Sequence, residues 1–600
     1  MKIVYGEKSI IQDEVVFIND EDLEFPHGED YKVAIEQLER IQESKFNNKQ
    51  IHELFEYKEI SLWWFVYQNI ISEYKKLINC IIKLEEIIDK YQPEKFEINV
   101  STNFKEIIKN ICKKKNISIK DNSKFKINIK NIGKNIIEEK RYKKITTEKI
   151  SNRKKIFEKY QNDLIIDNKI LFAIPSIYRR EIYDFQEGRS KKGEYIMEYF
   201  LQKFERDFIG IDLDYTFKGN IAVLEDRLKN SQNWFPIEKI FKNNFLENNE
   251  NTEFLKQISN IFTSKEFLKK FDYNEISLSS SISKILQKLL FAPYIPIYME
   301  IIDSAIKLFS KNKPKAVFLP YETGPYALAI IAVSKKFNIQ TIGVQHGYIY
   351  KNNPMYVFGK YISEKKNSFP FPEKMIIFGE SVKDLLIKKM YPDKKLIVLG
   401  NPAFFNLKKI SNNKNKILKK FNIPTKNQII LFTTGKLQRE YSAHGKYNYD
   451  EIIFTKLNEL SKRKNITIIL KPHPQESNIK IYEEIKNNNN NVIILKNNIV
   501  ELISISDIIV SVFSSTMIDA LCFEKPVLRI KFDDKEIPLF GLNNVIIECE
   551  ITEIEKYINQ FLNDGKFATE NRIQIKKFVK NQYGIPEENV EEKLKELLYN

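Results

Sequence analysis

The chain has 600 residues, with 96 Lys and Arg against 80 Asp and Glu for a formal charge of +16, and it is 42% hydrophobic and 12% aromatic. That length is too great for one compact core, so two or three domains are expected, and no apolar run reaches the ~18 residues of a membrane-spanning helix. A mean hydropathy of −0.39 and a pI near 9.1 fit a globular chain and exclude a membrane-embedded one.

Residues 1–150 read as an α/β extension. The opening MKIVYGEKSIIQDE lacks the long apolar core of a signal peptide, so a cytoplasmic location is expected. Apolar residues at spacings of three and four predict a helix over Ile60 to Ile88, with Trp63 and Trp64 either in its core or on an acceptor-binding or membrane-contacting surface. A strand over Lys95 to Val100 and a helix over Asn103 to Lys114 follow. The basic residues are densest from Lys113 to Lys155, where no nucleic-acid motif is present. That stretch reads as a solvated linker or a membrane-facing surface, and no nucleic-acid partner is expected. Cys80, Cys112, Cys522 and Cys549 are scattered without CxxC spacing, which suggests neither a disulfide framework nor a structural zinc site.

Residues 151–407 alternate strand and helix, the pattern of a parallel sheet with crossover helices. Strands are expected at Ile170 to Ile174, Phe208 to Leu213, Ala316 to Pro320, Gln340 to Val344, Lys374 to Phe378 and Leu396 to Leu399, with helices over Lys192 to Arg206, Tyr326 to Lys336 and Glu380 to Met390. Asp212-Leu213-Asp214 has the form of a metal-binding pair, but carboxylates at a strand end are common without metal, and no metal ligand is assigned. Glu322 falls in the tight loop after one strand, and His346, followed by Gly347, falls after the next. Either could take a proton from a hydroxyl, and His346 could equally be a structural residue bonded to loop backbone.

Residues 408–600 begin in a Lys- and Asn-rich stretch and form a second alternating half, with strands at Gln428 to Phe432, Ile466 to Leu470, Asn491 to Leu495, Asp507 to Val512 and Pro526 to Ile530. Two loops carry the chemistry. Lys471-Pro472-His473-Pro474 stops its strand abruptly, because proline fixes φ and has no N–H to continue the ladder. Ser514-Ser515-Thr516 precedes a helix, where unpaired N–H groups favour a phosphate, although ordinary capping by Ser514 or Ser515 explains the same residues. Asp519, one turn on, could meet a ribose hydroxyl or simply favour the helix start. Gly435-Lys436 lacks the spacing of a phosphate-binding P-loop, and His444 reads as surface.

The pair KPHP and SVFSSTMIDAL, each after a strand, resembles the donor half of GT-B glycosyltransferases that build bacterial and archaeal surface polymers. The likeness is to capsule polysaccharide and polysialic acid synthases and to CDP-glycerol glycerophosphotransferases, and it covers roughly the last 290 residues. It implies an α/β GT-B fold, two Rossmann-like domains with parallel sheets facing a cleft. It also implies a nucleotide-activated sugar or polyol donor, CMP- or CDP-linked, held at its phosphate by His473, Ser514 and Ser515 with help from Lys471 and Thr516. Neither a metal nor a cofactor beyond that donor is implied. The acceptor would be a glycan or a lipid-linked chain at the inner leaflet of the membrane. In the glycerophosphotransferases a similar His-Gly loop looks catalytic, which points to His346; polysialyltransferase-like enzymes use an acidic residue in this half, which points to Glu322. Gln345 and Tyr348 flank the loop here where that family has Trp and Thr. Gly400-Asn401-Pro402 also resembles the junction in nonhydrolysing UDP-GlcNAc 2-epimerases, the alternative enzyme, and a noncatalytic GT-B scaffold is the alternative outside catalysis.

Overall fold

The computed structural model describes residues 1–600 except 7–9, 13, 24–30, 101, 124–147, 149–150, 161–165, 185–188, 214–220, 232, 242–248, 292–293, 348, 350–352, 357–358, 365–368, 406–413, 436–448, 464, 474–475, 477–478, 513, 515, 532–544, 585–589 and 600. Asp214, Tyr348, Lys436, His444, Pro474 and Ser515 therefore lie outside the described residues. The chain divides into two compact units. One comprises residues 1–176, 204–375 and 385–396, and the other comprises 177–203, 376–384 and 397–600.

The first unit begins with a five-stranded sheet in the order β2-β3-β1-β4-β5 among the described residues, made of β1 (Lys2–Tyr5), β2 (Ile10–Gln12), β3 (Val15–Ile18), β4 (Lys95–Ile98) and β5 (Ser118–Asp121). Helix α1 (Trp63–Tyr91) buries Val66, Ile70, Tyr74, Leu77, Ile81, Leu84 and Ile88, the stripe that the periodicity predicted. It stops where Gln92 takes a left-handed conformation (φ +43°) ahead of Pro93, which cannot continue a helix. Trp63 and Trp64 are 0% and 2% exposed, so they are core residues and not a contact surface.

A second sheet follows, formed mainly by residues of the first unit. Its strands are β6 (Ile170–Ile174), then β9 (Phe208–Asp212), β10 (Trp234–Pro236), β11 (Ala316–Pro320), β12 (Gln340–Val344), β13 (Lys374–Ile377) and β14 (Leu396–Val398). Their spatial order is β10-β9-β6-β11-β12-β13-β14. The labels β7 (Arg179–Asp184) and β8 (Arg189–Glu194) belong to an antiparallel hairpin of the second unit. The hairpin corrects the helix expected over Lys192 to Arg206, of which only Glu198–Lys203 is helical. Gly193 is the physical reason: it pairs with Arg180, and a side chain there would lie 2.2 Å from Ile182 Cδ1.

The third sheet, wholly parallel, lies in the second unit and consists of β15 (Gln428–Thr433), β16 (Ile466–Lys471), β17 (Val492–Ile494), β18 (Ile508–Ser511), β19 (Val527–Lys531) and β20 (Ile546–Glu550). Its order is β17-β16-β15-β18-β19-β20. Ile430, Phe432, Ile468, Leu470, Ile508, Val510, Leu528 and Ile530 form its core with Ile453, Phe454 and Leu457 of the helix Tyr449–Leu460. Both faces are covered, and the strands accordingly read as continuous apolar runs. Strand β20 was not foreseen, because its pattern IIECE alternates and follows a stretch without strand character. The α/β class with two Rossmann-like sheets and an N-terminal α/β extension, expected from the sequence, is the observed fold class.

Within the second unit three glycines meet backbone to backbone. A side chain on Gly584 (φ +56°) would lie 2.4 Å from the Phe378 carbonyl oxygen and 3.0 Å from Gly400 Cα, and one on Gly379 would lie 2.2 Å from the Asn581 carbonyl oxygen. Asn401 N–H donates to the Tyr583 carbonyl at 3.0 Å, holding the approach. Gly584→Ala should therefore cost more than the ~1–2 kcal/mol of left-handed backbone alone. Gly565→Ala, at a helix start with nothing within 4 Å, should be neutral or stabilising. Chemical denaturation of the two variants checks this, and equal effects would refute it.

Candidate active site

In a parallel sheet whose strand order reverses direction once, the crossover helices diverge at that point and leave a crevice at the carboxyl ends of the two central strands. In the third sheet the reversal lies between β15 and β18, whose register pairs Thr433 with Ser511. Thr433 Oγ1 donates to Ser511 Oγ at 2.9 Å, and Ser511 Oγ donates to the Thr433 carbonyl at 3.2 Å, so the two strands are joined up to their last residues. Beyond that pair one chain turns into Thr434-Gly435 and the other into the serine motif.

The His-Pro loop stands one strand away, at the end of β16. Its shape is set by Thr434 and by Glu476, for which the sequence alone suggested no role. His473 N–H donates to Thr434 Oγ1 at 2.8 Å, and Thr434 Oγ1 donates to Glu476 Oε2 at 2.6 Å. Tyr482 OH donates to Glu476 Oε1 at 2.6 Å, and Glu476 N–H donates to the His473 carbonyl at 2.9 Å. One carboxylate thus ties the loop to the neighbouring strand and to the following helix. The signal was the spacing of three from His473, which suits a turn-closing hydrogen bond. His473 itself is half-buried. Burial pushes the Lys471 ammonium below the usual lysine range, partly offset by Glu181, and its Nζ donates to the Pro472 carbonyl at 3.2 Å.

Ser514 accepts the Thr516 N–H at 3.2 Å and donates to Thr516 Oγ1 at 2.9 Å, at the start of the short helix Thr516–Cys522. Its hydroxyl thus bonds the backbone N–H of the helix's first residue. Asp519 lies one turn into that helix; burial raises its carboxyl to about 6, against the pull of Arg180. The structure thus brings Thr434, Gly435 and Ser514 to the crevice, His473 and Lys471 to the adjacent strand end, and Thr516 and Asp519 to the helix beyond.

The second sheet has the same order over its first six strands, with its reversal between β6 and β11. Glu322 follows β11 at that position, and His346 follows the neighbouring β12; the register pairs Pro320 with Val344, so the two residues leave the sheet at the same level. Tyr321 between strand and glutamate has φ +59°, a strained backbone held by the turn. Glu322 is 1% exposed, and burial raises its carboxyl to about 7. Gly343 makes room for it: a side chain there would come 3.1 Å from Glu322 Cβ. His346 is half-buried with its ring 4.8 Å from that of Tyr321, and burial lowers its imidazole to about 4.

Asp212 is not at either crevice as a metal ligand. Its carboxylate, 0% exposed, takes Arg153 Nη2 at 2.8 Å, Arg227 Nη1 at 2.6 Å and the Ser176 hydroxyl at 3.1 Å, and Arg153 Nε also pairs with Glu238 at 2.6 Å. The two guanidinium groups hold Asp212 below the usual carboxylate range against the cost of burial. Among the described residues, no cluster of three or more His, Cys, Asp or Glu side chains is arranged to hold a metal ion. Asp212→Asn leaves two buried arginines without their shared counter-charge, and a loss of about 3–5 kcal/mol is expected by denaturant titration. A loss below 1 kcal/mol would mean the network is incidental.

Comparison with protein families matches residues 326–537 to CDP-Glycerol:Poly(glycerophosphate) glycerophosphotransferase. The match spans the His346 loop, the His-Pro loop and the serine motif. No curated protein sequence gives a significant match. Among solved structures, the Neisseria meningitidis UDP-GlcNAc 2-epimerase bound to UDP-GlcNAc is similar at 17% identity with a TM-score of 0.44, covering 72% of this chain and 99% of its own. The wall teichoic acid polymerase TagF is similar at 14% identity with a TM-score of 0.41, covering 83% of this chain and 97% of its own. Residues 326–537 thus carry a match to the CDP-glycerol glycerophosphotransferase family, which supports a transferase that uses a nucleotide-linked donor to build a cell-surface polymer.

Proposed function

We propose that the protein transfers a polyol phosphate or a sugar from a cytidine-nucleotide donor, CMP- or CDP-linked, to a glycan or lipid-linked acceptor of a capsule-type or teichoic-type polymer. The supporting observation is placement. The His-Pro and serine motifs stand at or beside the direction reversal of the third sheet, where open parallel sheets bind ligands. Lys471, His473, Ser514, Ser515, Thr516 and Asp519 are the donor-side set, with His473 and Lys471 as the groups that balance negative charge building on the departing nucleotide phosphate. Neutralisation by protein groups, without a metal, is part of this reading; Asp212, the described carboxylate of the DxD triplet, is committed to arginines. The net charge of +16 suits work against an anionic inner leaflet, to which the protein would bind peripherally from the cytoplasm.

On the acceptor side, His346 is the base and Glu322 the second reading. His346 is the more accessible of the two, and its depressed pKa keeps the imidazole neutral and able to accept a proton throughout the neutral range. Glu322 is enclosed beneath Gly343.

Titration of the purified protein with CMP, CDP, UMP, UDP and GDP tests the donor assignment. Selective cytidine-nucleotide binding, lost in His473→Ala, is expected; selective uridine or guanosine binding would discard the cytidine donor, and no binding by a folded sample would overturn the site. A second experiment separates the two bases. If His346 acts, kcat/KM shows no inflexion near pH 7 from this group, and His346→Asn lowers turnover by ~10²–10⁴-fold with donor affinity retained. If Glu322 acts, it must be ionised, so activity falls as pH drops through about 7.

A further inference from the structure

Helix α1 reaches beyond the N-terminal sheet. It packs on the helix Pro325–Lys336, which follows the Glu322 loop, and on the turn Pro354–Tyr356, which follows the His346 loop. In its second turn, Gln68 Nε2 donates to the Thr323 carbonyl at 3.4 Å and to the Met355 carbonyl at 3.5 Å. One side chain of the extension thus spans the two segments that carry the candidate bases. Neighbouring residues fasten the second segment further on: His52 Nδ1 and Tyr361 OH share a hydrogen bond of 2.7 Å, and the Trp64 ring meets Phe369 edge-on at 5.6 Å.

Tyr321 completes the path to the imidazole. Its hydroxyl donates to Met355 Sδ at 3.4 Å, and its ring meets that of His346 at 66° with centres 4.8 Å apart. Gly324 leaves space for the ring, since a side chain there would come 2.7 Å from Tyr321 Cδ1. We propose that Tyr321 is a positioning residue for His346 and that the N-terminal extension, through Gln68, holds it in place. A residue other than glycine keeps a left-handed backbone only where its surroundings over-determine it. At Tyr321, with φ +59°, those surroundings include Gln68, which pins the chain at Thr323 and at Met355 on either side of the ring. An edge-to-face ring pair is directional, so the tyrosine sets the plane of the imidazole. The extension, which lies outside the matched residues 326–537, is thereby part of the acceptor-side site. This assignment rests on the reading of His346 as the base.

The test uses NMR of the full chain labelled at its five histidines, with the His346 imidazole signals identified by their loss in His346→Asn. Tyr321→Leu, Tyr321→Phe and Gln68→Met are compared with Lys76→Gln, on the exposed face of the same helix. In Tyr321→Leu and Gln68→Met the His346 signals should broaden or split as the ring takes more than one orientation, with the His473 signals unchanged. Tyr321→Phe, which keeps the ring, and Lys76→Gln should each give one sharp set, as wild type does. With CDP-glycerol and poly(glycerophosphate) as substrates, the first two variants should lower kcat ~10-fold or more at unchanged donor KM. A single sharp set of His346 signals in folded Gln68→Met overturns the role of the extension, and the same result in Tyr321→Leu overturns that of the tyrosine. Equal disturbance of His346 and His473 also overturns the proposal, because general loosening predicts it. If Tyr321→Leu does not fold, Gln68→Met and Tyr321→Met decide. Retained turnover in His346→Asn together with the expected signals discards His346 as the base and leaves its placement by Tyr321 standing.

Discussion

Two parallel sheets, each with a strand order that reverses once, impose the geometry on which everything else in this protein depends. Parallel strands cannot be joined by tight turns, so each pair needs a crossover, and right-handed crossovers put helices on both faces. Where the direction of winding reverses, the helices part at the carboxyl ends of the strands. Residues that follow those strands are then the ones a ligand can meet. Thr434 and Ser514 occupy that position in the third sheet, and Glu322 occupies it in the second. The loops need little else to become sites, because their backbone groups have already left the ladder.

Around those edges the polar groups divide into those that hold the scaffold and those left for chemistry. The Asp212, Arg153, Arg227 and Glu238 group is sealed, with both charges of each sign answered internally. Such networks cost desolvation to form and are severe to break, which makes them structural residues even when their sequence resembles a metal motif. Glu476 is a structural residue of another kind. By accepting from Thr434 and Tyr482 it restricts the loop that presents His473 at the strand end. On the other sheet, burial moves Glu322 and His346 in opposite directions from their ordinary values, to about 7 and about 4. Divergence of this sort between neighbouring groups gives the acceptor side two distinct candidate proton acceptors.

The long β-branched runs were readable because a strand buried on both faces tolerates little else: Ile170–Ile174, Ala316–Pro320 and Ile466–Lys471 lie where their sequences place them. Helix α1 was readable for a similar reason, since a three-four apolar repeat over that length has one periodicity. The hairpin β7–β8 was not. Its sequences RREIYD and RSKKGE are polar, carry no apolar alternation and acquire strand structure only by pairing with each other. Its assignment to the second unit rests on contacts with residues hundreds of positions away, such as β7 with the helix Ile499–Ile505.

By itself, the sequence determined the α/β class, the alternation that makes both sheets parallel, the two loops at strand ends and the resemblance carried by their residue types. These are local properties, set by side-chain branching, proline and the periodicity of burial. Only the tertiary structure decided the strand order, and with it which loops flank a crevice, that Trp63, Trp64 and Asp212 are internal, and that residues 177–203 join the second unit. Those depend on which strand lies next to which, an outcome of global packing that no window of sequence contains.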